Sequence, residues 1–260
     1  MSIFDPLRLS ARVAAFAGST ASMYGAFELE AAVAGAAKRD DVLKKWVVRY
    51  GRVELSLFGI DVRAEGPYLG EGAAYAGKDA RGKGRLFVMN HRSALDILVS
   101  LGFLEARIVS RGDLAKWPVI GYLATRIGTL FVDRESTISG ARVAGAMVRA
   151  VEAGRGVLIF PEGTTFAGDE LRPFRPGAFA VSKRTGAEIV PVGIAYDGEA
   201  ATFGRESFPA HMKRVGGIAT TRVALVAGDP ILPGDRDPQA IQAEAHAAVQ
   251  ALVHRARALL

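Results

Sequence analysis

From Arg85 onward the chain alternates between two patterns, and this alternation limits its fold more than any other feature. Six short apolar runs stand out: RLFVMN, ARIVS, GTLFVD, GVLIFP, EIVPVGIAY and RVALVAG. Each has the length of a strand. Helical stretches lie between several of them, at 93–104, 138–151 and 178–185, and Gly154 can end the second in a left-handed cap. The last helix is predicted to open at Asp237-Pro238, a favourable N-cap and N1 pair. Ile241, Ala245, Val249, Leu252 and Ala256 then fall on one stripe. Strands that alternate with helices imply crossover connections. The expected fold class is therefore α/β, with a mixed, partly parallel sheet flanked by helices.

Residues 1–60 read differently, as a helical N-terminal segment. In DDVLKKWVVRYGRVELSLFGI, Val42, Trp46, Tyr50, Val53 and Leu57 recur at three- and four-residue spacing, with Lys44, Lys45, Arg49 and Arg52 largely elsewhere on the wheel. Such a helix docks its apolar face on a core or lies in a bilayer interface. The most apolar stretch, 13–27, is shorter than the roughly 18 residues a spanning helix needs. Residues 66–85 are Gly-rich and read as a loop. Their Gly-Lys pairs are not followed by Ser or Thr after a strand, so no nucleotide-binding loop is expected. The expected division is 1–60 and an α/β domain at 61–260.

Composition narrows the chemistry. With 260 residues, half of them hydrophobic, the chain can bury a large core. The absence of cysteine excludes disulfides, thiol nucleophiles and cysteine-held zinc. The net charge of +6 favours anionic partners such as nucleic acid, anionic lipid or phosphorylated substrates. The basic residues are dispersed and the aromatics form no stacking platform, so nucleic acid is not expected.

The stretch VMNHRSALDI, at 88–97, carries a histidine out of an apolar strand and sets a carboxylate five residues behind it. If Ser93 caps the next helix, Asp96 is its N3 residue and Ser-x-x-Asp is a capping box. His91 then sits at the strand end, where ligands gather in sheets with helices on their faces. Asp96, one turn into the helix, can also reach the imidazole, and a neutral imidazole held by a carboxylate is a general base. Two other runs deliver polar residues to equivalent places: GTLFVDR brings Arg134, and GVLIFPEGTT brings Glu162, Gly163 and Thr164. If the strands are parallel, all of them share one sheet edge. Phe131 and Phe160 read as core. His211, His246 and His254 read as structural or solvated.

These residues fall into four ordered blocks. They are Asn90-His91-Arg92-Ser93-Ala94-Leu95-Asp96, Gly128-Thr129-Leu130-Phe131-Val132-Asp133-Arg134, Phe160-Pro161-Glu162-Gly163-Thr164 and Val190-Pro191-Val192. In order and spacing they resemble the PlsC-like glycerolipid acyltransferases, the 1-acylglycerol-3-phosphate acyltransferase superfamily, over residues 85–200. The resemblance implies acyl transfer from a thioester, acyl-CoA or acyl-ACP, to a lysolipid hydroxyl in phospholipid biosynthesis. His91 would be the base of this HX4D motif and Asp96 its orienter. No metal or other cofactor is implied.

The resemblance also implies that Arg134, Glu162, Gly163 and Thr164 help bind the acceptor. An oxyanion still needs donors, and amides near Gly163, Arg111 or Lys116 are candidates. Many members carry Arg directly after the Thr; this chain has Thr165. Arg172 and Arg175 lie nearby and can supply a guanidinium for a phosphate. The departure keeps a second acceptor open, a non-phosphate lyso-lipid such as an amino-acid lipid. A third reading is a non-catalytic lipid-binding protein. The expected partners are the acyl thioester donor, an acyl carrier protein among the carriers, the lysolipid and a membrane surface. The implied location is peripheral, on the cytoplasmic face of the cell membrane, with 1–60 as the associating segment.

Overall fold

The computed structural model describes residues 4–69, 73–117, 120–132 and 137–260. Seven strands form one sheet: β1 (Ile60–Glu65), β2 (Leu86–Met89), β3 (Ala106–Arg111), β4 (Leu130–Val132), β5 (Gly156–Ile159), β6 (Ile189–Tyr196) and β7 (Thr221–Ala227). Their spatial order is β1-β7-β6-β2-β5-β3-β4. Every neighbouring pair is parallel except β6 with β7. The mixed, mostly parallel sheet is the expected one. All six apolar runs became strands, and β1 is an addition at the edge.

Among the described residues, eight α-helices surround the sheet: α1 (Phe4–Ala34), α2 (Arg39–Leu57), α3 (Leu95–Phe103), α4 (Ile120–Arg126), α5 (Thr137–Glu152), α6 (Gly177–Thr185), α7 (Phe208–Gly217) and α8 (Pro238–Ala258). Alternating side chains send β2 into two cores. Phe87 and Met89 join the core under α2 and α3, with Leu55, Phe58, Leu95 and Val99. Leu86 and Val88 join the core under α5, α6 and α8, with Val151, Phe179, Ala245 and Val249. Gly193 lets α8 lie close on β6, because a Cβ there would stand 2.4 Å from the backbone of Leu252. The last helix begins as predicted: the Asp237 side chain accepts from the amide of Ala240, with Pro238 following.

The helical N-terminal segment is built into the domain. α2 crosses α3 so closely that a Cβ on Gly51 would stand 2.4 Å from the Gly102 nitrogen. Arg12 of α1 is buried and donates to the carbonyls of Leu57, Gly216, Ile218 and Ala219. It thereby satisfies carbonyls left open at the end of α7. Among the described residues, no helix is long and apolar enough to cross a membrane.

Candidate active site

The register places the site. Val88 on β2 lies level with Ile159 on β5, and Ile108 on β3 with Leu158. The residues that leave the ends of these parallel strands, among them His91, Glu162 and Arg111, therefore emerge on one edge. Arg134 lies outside the described residues.

His91 and Asp96 are in contact. The imidazole Nδ1 stands 2.7 Å from Oδ2 of Asp96, whose side chain is wholly buried. That oxygen also accepts the amides of Arg92 at 2.7 Å and Ser93 at 2.9 Å. The other oxygen, Oδ1, accepts the hydroxyl of Tyr196. A buried carboxylate with four donors is fully compensated for the water it has lost. Burial and the neighbouring Asp96 charge push the Tyr196 phenol well above its ordinary value, so it remains a donor. The ring of Phe160 stacks on the imidazole at 4.1 Å. With Nδ1–H committed to Asp96, the imidazole presents Nε2 as its basic atom, and among the described residues nothing bonds it.

The capping box forms in part. The Ser93 amide donates to Asp96, as expected, but Ser93 Oγ accepts from Leu95 at 3.2 Å and the regular helix opens only at Leu95. Before it, Asn90 is buried and pairs with both backbone groups of Ile194, at 2.8 and 2.9 Å.

Glu162 takes a different position from the expected acceptor contact. Its side chain is wholly buried, with Oε1 accepting the His91 amide at 3.1 Å and the Arg92 guanidinium at 2.9 Å. Its Oε2 accepts the Arg172 amide at 2.9 Å. Both oxygens are thus committed within the protein, and Glu162 braces the turn that carries His91. Arg92 completes this brace through the carbonyls of His91, Gly168 and Glu170. Gly163 turns the chain at φ 79°, and its amide is used by the Phe160 carbonyl at 3.0 Å. That amide is therefore unavailable to an oxyanion.

The Arg175 guanidinium lies where a Gly163 Cβ would project, 2.5 Å from it. Arg172 stacks on Phe166 at 4.6 Å, and Thr164 is exposed. Arg111 is exposed and paired with Asp113, while Lys116 is exposed on the turn after β3. Among the described residues, no contact joins either of these two to His91. Among the described residues, no group of acidic residues and histidines could hold a metal.

An apolar cavity of about 720 Å³ opens beside this turn. Ala94 of the His91 block and Ile97 and Leu98 of α3 form one wall, and Phe16 and Trp46 of the N-terminal helices form another. Phe131, expected in the core, lines this cavity instead.

Sequence reading gave no role to Arg92 and Tyr196, and took His211 as structural or solvated. Tyr196 had a readable signal, a phenol closing an apolar strand, where burial demands an acceptor. His211 is buried and bonds Ser93 and Ala94.

Residues 74–195 match the family model described as Acyltransferase. The chain is 32% identical over 170 residues to the lyso-ornithine lipid O-acyltransferase of Pseudomonas aeruginosa, covering 61% of this chain and 64% of that protein. It is 29% identical over 113 residues to the 1-acyl-sn-glycerol-3-phosphate acyltransferase of Neisseria gonorrhoeae, covering 44% of each. The chain thus spans less than two thirds of the length of these relatives. The crystal structure of the 1-acyl-sn-glycerophosphate (LPA) acyltransferase, PlsC, from Thermotoga maritima matches with a TM-score of 0.72 over 98% of both chains at 19% identity, which shows a shared fold. The resemblance to the PlsC-like glycerolipid acyltransferases holds.

Proposed function

We propose, starting from this acyltransferase domain, that the protein moves a fatty acyl group from a thioester to the hydroxyl of a lysolipid. The observation that carries the reading is the His91–Asp96 pair, held by Tyr196 and two amides at the end of a parallel strand. In the first step Nε2 of His91 takes the proton of the lipid hydroxyl as its oxygen attacks the thioester carbonyl. Asp96 stabilises the imidazolium that forms. Collapse of the tetrahedral intermediate expels the thiolate, which takes the proton back from His91. The product is an ester and a free thiol, and no metal is required. Arg172 and Arg175 are the nearby cations for the developing charge and the acceptor headgroup.

The apolar cavity suits the donor's acyl chain, since each methylene sequestered there contributes about 0.8 kcal/mol. The donor is acyl-CoA or acyl-ACP. The acceptor on the first reading is 1-acylglycerol-3-phosphate. A second reading, a lyso-amino-acid lipid, is supported by Thr165 in place of Arg and by the likeness to the Pseudomonas lyso-ornithine lipid enzyme.

The reading includes peripheral attachment to the cytoplasmic membrane face through the N-terminal segment. Leu7, Leu29 and Val33 of α1 are 71%, 70% and 83% exposed. They fall within about 80° on the helical wheel, an apolar stripe aimed away from the protein. Substituting Leu29 and Val33 by Ser should lower recovery with vesicles in flotation. Unchanged recovery removes this part of the reading.

The deciding experiment is lipid mass spectrometry after incubating wild type and His91→Ala with acyl-CoA, acyl-ACP and both labelled lyso-acceptors. Product from the wild type that vanishes in the variant supports the reading. Equal product from the two on every acceptor defeats it.

A further inference from the structure

A second histidine–carboxylate pair stands directly behind the first. His211 lies on α7, wholly buried, and its Nδ1 is 3.0 Å from Oε1 of Glu206. Its Nε2 faces the His91 turn, 3.2 Å from Ser93 Oγ and 3.3 Å from the Ala94 amide. An amide can only donate, so Nε2 carries the lone pair and Nδ1 the proton. Glu206 enforces that tautomer. Its carboxyl is held at about 2 by the Arg214 guanidinium, so it remains an anion. Arg214 also stands 3.1 Å from Nδ1, but a guanidinium offers only donors and the ring proton goes to the carboxylate.

The bond matters because of what it closes. The amide of His91 goes to Glu162, and those of Arg92 and Ser93 go to Asp96. The Arg92 carbonyl accepts from Phe203, whose ring packs on His211 at 4.3 Å. The Ala94 amide is the remaining donor of this turn, and His211 is its acceptor. With it, each amide from His91 to Ala94 has a partner.

We propose that His211 is a positioning residue for acyl transfer: its neutral imidazole, set by Glu206, accepts the Ala94 amide and the Ser93 hydroxyl and so holds Asp96 on His91. The inference rests on the acyl-transfer reading of the His91 site. Protonating His211 would turn its only acceptor into a donor facing the Ala94 amide. The charged groups around His211 are Glu206, Arg214 and Asp96; burial, with the Arg214 charge, outweighs Glu206 and Asp96 and lowers its pKa below the ordinary 6.5. The neutral form is therefore the working form at neutral pH, and the bond is lost as pH falls through the lowered value.

The test compares His211→Gln, His211→Leu and wild type. Glutamine sets a carbonyl oxygen where Nε2 was and does not titrate. The acid limb of kcat/KM should reflect two protonations in wild type and one in His211→Gln, whose kcat at pH 8 should be within about threefold of wild type. His211→Leu should lose kcat by at least about tenfold, well inside the ~10²-fold that a 1 Å misplacement costs, with both KM values little changed. An acid limb of His211→Gln that superimposes on wild type overturns the proposal. A second readout needs no turnover. The chain has 4 histidines, so their ring nitrogens can be assigned by ¹⁵N NMR through single variants. His211 should show protonated Nδ1 and bare Nε2 at pH 7, and His211→Leu, but not His211→Gln, should shift the His91 ring signals. His91 signals that ignore His211→Leu overturn the proposal, as does the opposite tautomer. If His211→Leu does not fold, the wild-type tautomer and the His211→Gln profile decide. If the wild type transfers no acyl group, the function fails while the NMR still tests the coupling.

Discussion

The hydroxyl of Tyr196 donates to Oδ1 of Asp96, the oxygen that His91 leaves unused. Tyr196→Phe removes one of four donors and keeps the ring in its core. It should destabilise the protein by about 1.5–3 kcal/mol, the range for a bond to a charged group, in urea titration. The raised phenol makes Tyr196 a donor throughout the working range, so the alkaline limb of kcat should be the same in variant and wild type. A wild-type alkaline limb that the variant lacks would contradict this.

Asp96→Asn replaces an acceptor by an amide facing donors only. His91 then loses the group that fixes its tautomer. A fall in kcat of about 10²–10⁴-fold is expected, the span that general-base catalysis contributes. Steady-state kinetics on folded variant checks it, with KM for the thioester donor little altered.

Glu162 separates two roles cleanly. As the internal partner of buried Arg92, its loss leaves a stranded charge. Glu162→Ala should therefore cost about 3–5 kcal/mol in stability. An acceptor-binding role predicts a raised acceptor KM with unchanged melting, and calorimetry distinguishes the two.

Glu54, buried between α1 and α2, accepts from Ser19 through Oε1, while Oε2 has no partner among the described residues. Burial raises its pKa above 4.5. The protonated form is the favoured folded form, so its contribution is complete below about 4.5 and is lost as pH rises through the raised value. Glu54→Gln should raise the melting temperature at pH 8 by about 2–4 °C per kcal/mol recovered, and much less at pH 4. An equal change at both pH values speaks against a buried charge.

Ala94 and Phe131 line the same apolar cavity from different elements. Ala94→Phe should shift donor preference toward shorter acyl chains, and Phe131→Ala toward longer ones. Competition among thioesters of graded length reads the shift. Preferences that do not move would detach the cavity from the donor.

Most of the sheet was legible because apolar runs of strand length separated by helices leave few topologies. β1 was hidden: IDVRAE carries three charges as an edge strand, and it follows directly on a helix whose spacing runs to Leu57. The antiparallel β6–β7 pair was equally hidden, since no local pattern states a strand's direction. His91 and Asp96 were readable because their partnership is local. Glu162 was read as facing the acceptor because its true partner, Arg92, lies 70 residues away. His211 was read as structural or solvated, and its partners Ser93 and Ala94 were not legible because they lie more than 100 residues away.

The His91 turn is tied by partners 71, 100 and 118 residues distant, on β5's exit, β6 and α7. Contacts of such separation close only after the intervening chain has been ordered. The brace around this imidazole is therefore predicted to close late in folding. A nascent or partly opened chain carries the histidine without this brace. On the acyl-transfer reading, the base is complete only once β5, β6 and α7 are in place.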